Sequence, residues 1–273
     1  MSGAYGGCCE TGSCCRSDGM PSVCVMISVI IPTLNAEKDL APTLAALIPA
    51  AVDGFIREVI VVDGGSSDAT LTIAENAGVD IIETARGRGL QLRAGARRAR
   101  FPWLLVLHAD TELGLGWETV AGNFIEKVNT GRLPQAAAAF RYRLLDDGWR
   151  PRLLEQAVAL RCALFRLPYG DQGLLISRVL YDEIGGFSEM PVMEDVDLMQ
   201  RVGRNRLRML NADALTSATR YHRDGYVRRI LRNQACLALY AVGVSPKRIQ
   251  HFYANERGAE RLAPAARERP TGS

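Results

Sequence analysis

Four segments of this chain end in side chains able to hold an anion, a cation or a proton. Thr33, Asn35 and Glu37 follow an apolar run at 27–31, and Asp63 follows another at 58–62. Arg86 and Arg88, with Gln91 close behind, follow 79–83, and His108 and Asp110 follow 103–107. Guanidinium forks suit phosphate oxygens. A carboxylate such as Asp110, in a loop, suits Mg²⁺ or Mn²⁺, which also take phosphate oxygens. An added imidazole ligand from His108 would tilt the choice toward Mn²⁺. Further on, Glu194-Asp195 sets two carboxylates at the expected start of a helix, where one could accept a proton. The helix dipole also favours acids there for purely structural reasons. His222 is a third candidate near phosphate, although a lone histidine is more often structural.

The elements that must position these groups are legible as a pattern. Residues 27–31 (Ile-Ser-Val-Ile-Ile), 58–62, 79–83 and 103–107 read as buried parallel strands, the first ended by Pro32. Helices are expected over 38–47, 69–76 and 89–99, with Ser67 or Asp68 capping the second. Strands alternating with helices argue for βαβ units and a mostly parallel sheet flanked by helices. In such α/β sheets ligands bind beyond the carboxyl ends of the strands. The four polar strand ends should therefore converge on one cleft. After Asp110 the reading gives helices at 117–129, 152–165, 194–202 and 226–242, and strands at 136–144, 173–177, 206–210 and 215–217.

With 273 residues, 48% hydrophobic and 23% charged, the chain fits one α/β domain. Residues 26–255 are expected to form it, between a Cys-rich, disordered leader (1–25) and a disordered tail (256–273). The net charge of +3 does not argue for nucleic acid, and the arginine-rich stretch 86–100 lacks the interleaved aromatics of a single-strand binder. Cys8, Cys9, Cys14, Cys15 and Cys24 match no standard zinc spacing, and only Cys162 and Cys236 lie beyond them. That usage, with no signal peptide visible, suggests a cytoplasmic setting. The apolar run 235–244 is about half a membrane span. The basic helix carrying Arg228, Arg229 and Arg232 could instead lie peripherally on an anionic membrane face, or simply pack on the domain.

Taken together the segments resemble glycosyltransferase family 2, with its GT-A fold. They are Val-Ile-Ile-Pro-Thr-Leu-Asn-Ala-Glu (29–37), Val-Ile-Val-Val-Asp-Gly-Gly-Ser-Ser-Asp-Ala-Thr (59–70), Leu-His-Ala-Asp-Thr (107–111) and Met-Glu-Asp-Val-Asp-Leu (193–198). Arg86-Gly87-Arg88-Gly89-Leu90-Gln91 and Gly170-Asp171-Gln172 look most like a bacterial branch associated with radical-SAM and selenodomain proteins. The resemblance implies a nucleotide-sugar donor, a UDP-sugar favoured, and transfer to a hydroxyl of an unidentified, conceivably lipid-linked acceptor. It carries Pro32, Thr33, Asn35, Glu37 and Asp63 over to the nucleotide, with Arg86, Arg88 and Gln91 assisting. Asp110, with His108, falls to the metal, Asp195 to the base with Glu194 beside it, and Asp171 and Gln172 to the donor sugar or acceptor. Two departures stand out: Asp-Gly-Gly-Ser at 63–66 where the family often has Asp-Asp-Gly-Ser, and His-Ala-Asp at 108–110 where it has Asp-x-Asp. Two rival readings follow. A catalytically silent nucleotide-sugar binder is favoured by the missing second carboxylate. A sugar nucleotidyltransferase would want a Gly-rich, Lys-containing loop after the first strand, and 32–35 has neither.

Overall fold

The structure, a computed structural model, describes residues 25–165, 168 and 170–251, and the backbone of two short strands nearer the N-terminus. Those strands, β1 (Ser13–Cys15) and β2 (Pro21–Val23), pair antiparallel. The rest of the expected leader, with Cys8, Cys9 and Cys24, and the expected tail from 256 lie outside the described residues.

One sheet organises the rest. Its strands are β3 (Ile27–Thr33), β4 (Ile56–Asp63), β5 (Asp80–Glu83), β6 (Trp103–Val106), β7 (Thr111–Leu113), β8 (Ala137–Leu145), β9 (Leu174–Ser177) and β10 (Leu207–Ser217). They lie in the order β5-β4-β3-β6-β9-β8-β10-β7. Pairing is parallel from β5 through β6, antiparallel on both sides of β9, parallel between β8 and β10, and antiparallel at β7. Because β9 reverses between β6 and β8, all strands but β9 and β7 share one direction. The fold is the mostly parallel α/β sheet that the sequence pattern implied.

The β-branched strands are apolar on both faces because both faces are covered. Ile27, Val29 and Ile31, with Val61, Leu105, Phe140 and Leu175, pack under α1 (Leu40–Ala45), α2 (Ile48–Val52), α3 (Thr70–Asn76) and α5 (Trp117–Asn129). Ile30, Ile60, Val62, Leu104, Val106 and Ile176 face the other way. They meet α4 (Arg88–Arg98), α7 (Arg178–Glu183) and α8 (Glu194–Val202). A third cluster joins Tyr142 and Leu144 of β8 to α6 (Trp149–Phe165), α9 (Thr219–Asp224) and α10 (Tyr226–Ala241). Among the described residues no helix is long and apolar enough to cross a membrane.

Local chemistry explains where pattern and structure part. The helix expected over 38–47 is α1 alone, and an unexpected second helix, α2, follows at 48–52, since Pro49 has no N–H to donate and the helix must restart around it. The two late strands expected at 206–210 and 215–217 are one strand, β10, whose register with β8 shifts between Met209 and Asp213. The short elements β7, α7 and α9 carried too few residues to show a period. At α3, Asp68 Oδ1 accepts the Thr70 N–H at 3.0 Å, close to the expected cap.

α4 lies unusually near the sheet. A Cβ on Gly95 would stand 2.5 Å from Ile30 Cγ2 and 2.9 Å from Val62 Cγ2. In an open helix Gly→Ala stabilises by about 1 kcal/mol. Here Gly95→Ala should instead cost about 1–3 kcal/mol through overpacking. Denaturant midpoints would report it, and a midpoint equal to or above wild type would mean that α4 can lift freely.

Candidate active site

The ends of β3 and β4 are stitched together by buried hydrogen bonds. Asp63, fully buried, accepts from Thr33 Oγ1 (2.9 Å) and Ser66 Oγ (2.5 Å) on Oδ1. Its Oδ2 accepts from the Gly65 and Ser66 amides at 2.9 and 2.7 Å. Burial alone would raise its pKa, but these hydrogen bonds outweigh it and hold the carboxyl below the usual range. Four donors fill the capacity of a carboxylate. Asp63, expected to contact a nucleotide, is therefore spent on shaping the turn. Gln91 is a second correction: buried within α4, its Nε2 donates to the Thr33 and Val62 carbonyls, both at 2.8 Å, rather than to a phosphate or sugar.

Around this floor stands a polar rim. Asn35 has a left-handed backbone (φ 52°), its N–H donates to Ser66 Oγ, and its Oδ1 accepts from the Ser67 amide, each at 2.8 Å. Glu37 Oε2 accepts from the Ala69 amide at 3.3 Å. Pro32 is half-buried; Asn35, Glu37 and Arg86 are exposed.

The loop after β6 is pinned from three sides. Leu107 N–H donates to the Ile30 carbonyl (3.0 Å), Thr43 Oγ1 to the Ala109 carbonyl (2.9 Å), and Ser217 N–H to the Asp110 carbonyl (3.0 Å). The Asp110 carboxylate that results is buried. Its Oδ2 lies 3.1 Å from Arg220 of α9. Its Oδ1 faces His108 Nδ1 at 3.8 Å and has no hydrogen-bond partner among the described residues. His108 Nε2 is likewise buried without one. Burial first, then the charges of Arg88 and Arg220, push the His108 pKa well below the imidazole range, so the ring is neutral. Buried polar atoms are rarely left unbonded, and a neutral ring nitrogen beside a carboxylate oxygen is a donor set that a divalent ion can use. Among the described residues no three His, Cys, Asp or Glu side chains group to hold a metal unaided.

Across the cleft, α8 begins with Glu194-Asp195 directly after Met193, whose left-handed backbone (φ 66°) is strained by about 1–3 kcal/mol for a side chain of this kind. Glu194 is buried and lies 2.8 Å from Arg88 Nε. Burial pushes its pKa up to about 7, against the pull of Arg88 and with a further push from Asp195. Arg88 shows the opposite balance. Burial disfavours its charge, but Glu194, Asp195, Asp110 and Asp171 together raise its pKa. Asp195 is half-buried, and its Oδ1 accepts the Val196 amide at 2.8 Å. Asp171, on a single 3₁₀ turn (Gly170–Gln172), has its pKa raised by burial and by Asp195 and Asp110; its Oδ1 has no hydrogen-bond partner among the described residues.

Two further expectations need correcting. Gln172 points into the core, donating from Nε2 to the Phe140 carbonyl at 3.0 Å and accepting from Cys162 Sγ at 3.3 Å, so it reaches neither sugar nor acceptor. His222 sits on α9 3.2 Å from Asp146, turned away from Asp110. Arg220, in the same Arg-Tyr-His-Arg stretch, takes that place. Residues two apart on a helix point to different sides, so one excluded the other. Asp39 was also missed: it lies close enough to Asp110 and Arg220 to feel both charges, and burial and then Asp110 raise its pKa. On α10, Arg229 and Arg232 turn inward to Asp224 (3.2 and 3.1 Å), which withdraws two of the three arginines from a membrane-facing surface.

Residues 28–130 match the profile of Glycosyl transferase family 2. A PGL/p-HBAD biosynthesis glycosyltransferase of Mycobacterium bovis is 39% identical over 101 residues, 32% of this chain and 36% of that protein. An uncharacterized glycosyltransferase of Mycobacterium tuberculosis is 36% identical over 91 residues, 33% of this chain and 39% of that protein. The chain thus matches little more than a third of the length of these relatives. Among solved structures, S. aureus TarS 1–349 superposes with a TM-score of 0.56 at 19% identity, over 78% of this chain and 65% of that one. Its complex with UDP-GlcNAc gives 0.54 at 19% identity, over 70% and 58%. At that identity the likeness speaks for the fold, and the sequence match to glycosyltransferase family 2 is confined to residues 28–130.

Proposed function

We propose that this chain transfers a sugar from a nucleotide-sugar donor to an acceptor hydroxyl, with inversion and with Asp195 as the base. The observation that supports this most is one charged centre drawn from distant parts of the chain. It joins Asp110, Arg88, Glu194-Asp195 and Asp171, with polar atoms of Asp110, His108 and Asp171 buried and unbonded among the described residues.

The donor nucleotide lies over the β3 and β4 ends. Pro32, Thr33 and the Asp63 turn make the floor, and Asn35, Glu37 and Arg86 the rim. A UDP-sugar is the favoured donor; TarS, which has the same fold, is solved with UDP-GlcNAc. Asp110, with His108 beside it, would hold Mn²⁺ or Mg²⁺, an ion that also takes phosphate oxygens. When bound, such an ion stabilises negative charge on the departing diphosphate. Arg88, fixed by Glu194, keeps its positive charge beside that oxygen cluster. Asp195 accepts the proton of the acceptor hydroxyl, and Asp171 hydrogen-bonds a hydroxyl of the donor sugar or the acceptor. The hydroxyl attacks the anomeric carbon opposite the diphosphate, so the configuration inverts and no covalent intermediate forms.

A thermal-shift screen of UDP-, GDP- and dTDP-sugars, with and without Mn²⁺, tests the donor site. One donor class at a hundred times its Kd should add about 2.7 kcal/mol of stability, a rise of several degrees. Asp110→Ala should abolish the Mn²⁺-dependent part of that rise. No shift with any nucleotide sugar, from folded protein, would sink the assignment. Asp195→Asn should keep donor binding and lower kcat by roughly 10²- to 10⁴-fold; near-wild-type turnover would remove Asp195 as base.

Glu194 gives a separate signature. Its folded-state pKa of about 7 exceeds the ordinary 4.5. The protonated form therefore favours the fold. That contribution is complete below the ordinary value and is lost as pH rises through about 7. Glu194→Gln should gain in Tm relative to wild type as pH rises from 5 to 8. A pH-independent difference would argue against the shifted carboxyl.

A further inference from the structure

Arg220 answers a problem that the charged centre creates. A donor diphosphate arriving beside Asp110 meets like charge from Asp110 itself, and from Asp39 and Asp171 close by. Arg88 is already engaged with Glu194 at 2.8 Å, and Arg161 acts on Asp171. Arg220 approaches from the other side, with Nη2 3.1 Å from Asp110 Oδ2 and its side chain half exposed. A guanidinium has five N–H donors, and this contact uses one nitrogen. Its base is firmly placed, because α9 follows β10 directly and the Ser217 amide is bonded to the Asp110 carbonyl.

We propose that Arg220 is a diphosphate-binding side chain. Asp110 holds it in place through Oδ2, and its remaining N–H groups take diphosphate oxygens. Oδ1 stays available to a cation, so ion and guanidinium share the one carboxylate from opposite sides. This rests on the donor reading above and adds a claim of its own: part of the charge neutralisation is built into the chain, so nucleoside diphosphate binding survives removal of divalent metal.

Calorimetric titration tests it on the full chain, as wild type, Arg220→Ala and Arg220→Lys, in EDTA and in Mn²⁺. The probes are UDP, GDP and dTDP, each beside its parent nucleoside. Wild type should bind one diphosphate in EDTA. Arg220→Ala should lose roughly ten- to hundredfold of that affinity, the scale of a charge-assisted hydrogen bond. Its nucleoside affinity and Tm should stay near wild type. Arg220→Lys should fall between, as a point charge without the fork. The inference is overturned if diphosphate affinity in Arg220→Ala stays within twofold of wild type. Equal loss of diphosphate and nucleoside, or wild-type binding only with Mn²⁺, overturns it too. If wild type binds no diphosphate in either buffer, the donor reading falls and this inference falls with it.

Discussion

The close approach of α4 to the sheet is the constraint on which the site depends. Two glycines allow it. Gly95 lets the helix sit on Ile30 and Val62, and Gly89 lies where a Cβ would be 2.1 Å from the Ser188 carbonyl oxygen. That nearness lets one helix do three things. Gln91 clasps the β3 and β4 backbones, Gly89 N–H donates to the Met190 carbonyl at 3.0 Å, and Arg88 meets Glu194. α4 thus couples the ends of β3 and β4 to the segment that launches α8. A helix standing off by a side-chain layer could reach neither.

The electrostatics follow from the same geometry. Carboxylates from separate elements meet in a poorly solvated cleft, and burial first, then neighbouring carboxylates, raises the pKa values of Asp39, Asp171 and Glu194. Arg88 and Arg220 set positive charge among them, and burial first, with those two charges second, keeps His108 neutral. The left-handed backbones of Asn35 and Met193 belong to the same pattern. At Met193 the turn is held against its own preference and the next side chain, Glu194, meets Arg88.

The sheet was legible because β-branched runs such as Ile27–Ile31 have little alternative to burial, and because polar groups at four successive strand ends share one spatial meaning. What was legible of the site is placement: Asp110 at a strand end and Glu194 at a helix start fall in one charged cluster around Arg88, as their positions imply. It was not legible where the role depends on which way a buried amide turns. Gln91 and Gln172 look like ligand contacts in a motif, yet both serve backbone carbonyls. Asp63 sits where a nucleotide contact was expected and is consumed by its own turn. Arg220 was hidden because α9 is too short to show a period, so nothing in the string told it from His222.

The reversal at β9 has a consequence for the order in which the molecule becomes chemically complete. Residues 27–110 hold four mutually parallel strands and the bonded ends of β3 and β4. β6, however, finds its other partner only when Trp103 pairs with Ser177, and Asp110 meets its guanidinium only at residue 220. A chain growing from its N-terminus therefore lays down the β3 and β4 ends well before Glu194 and Arg220, which complete the charged cluster. Over that interval Asp110 is a buried-to-be carboxylate still in water, and the apolar edge of β6 waits for a strand not yet made.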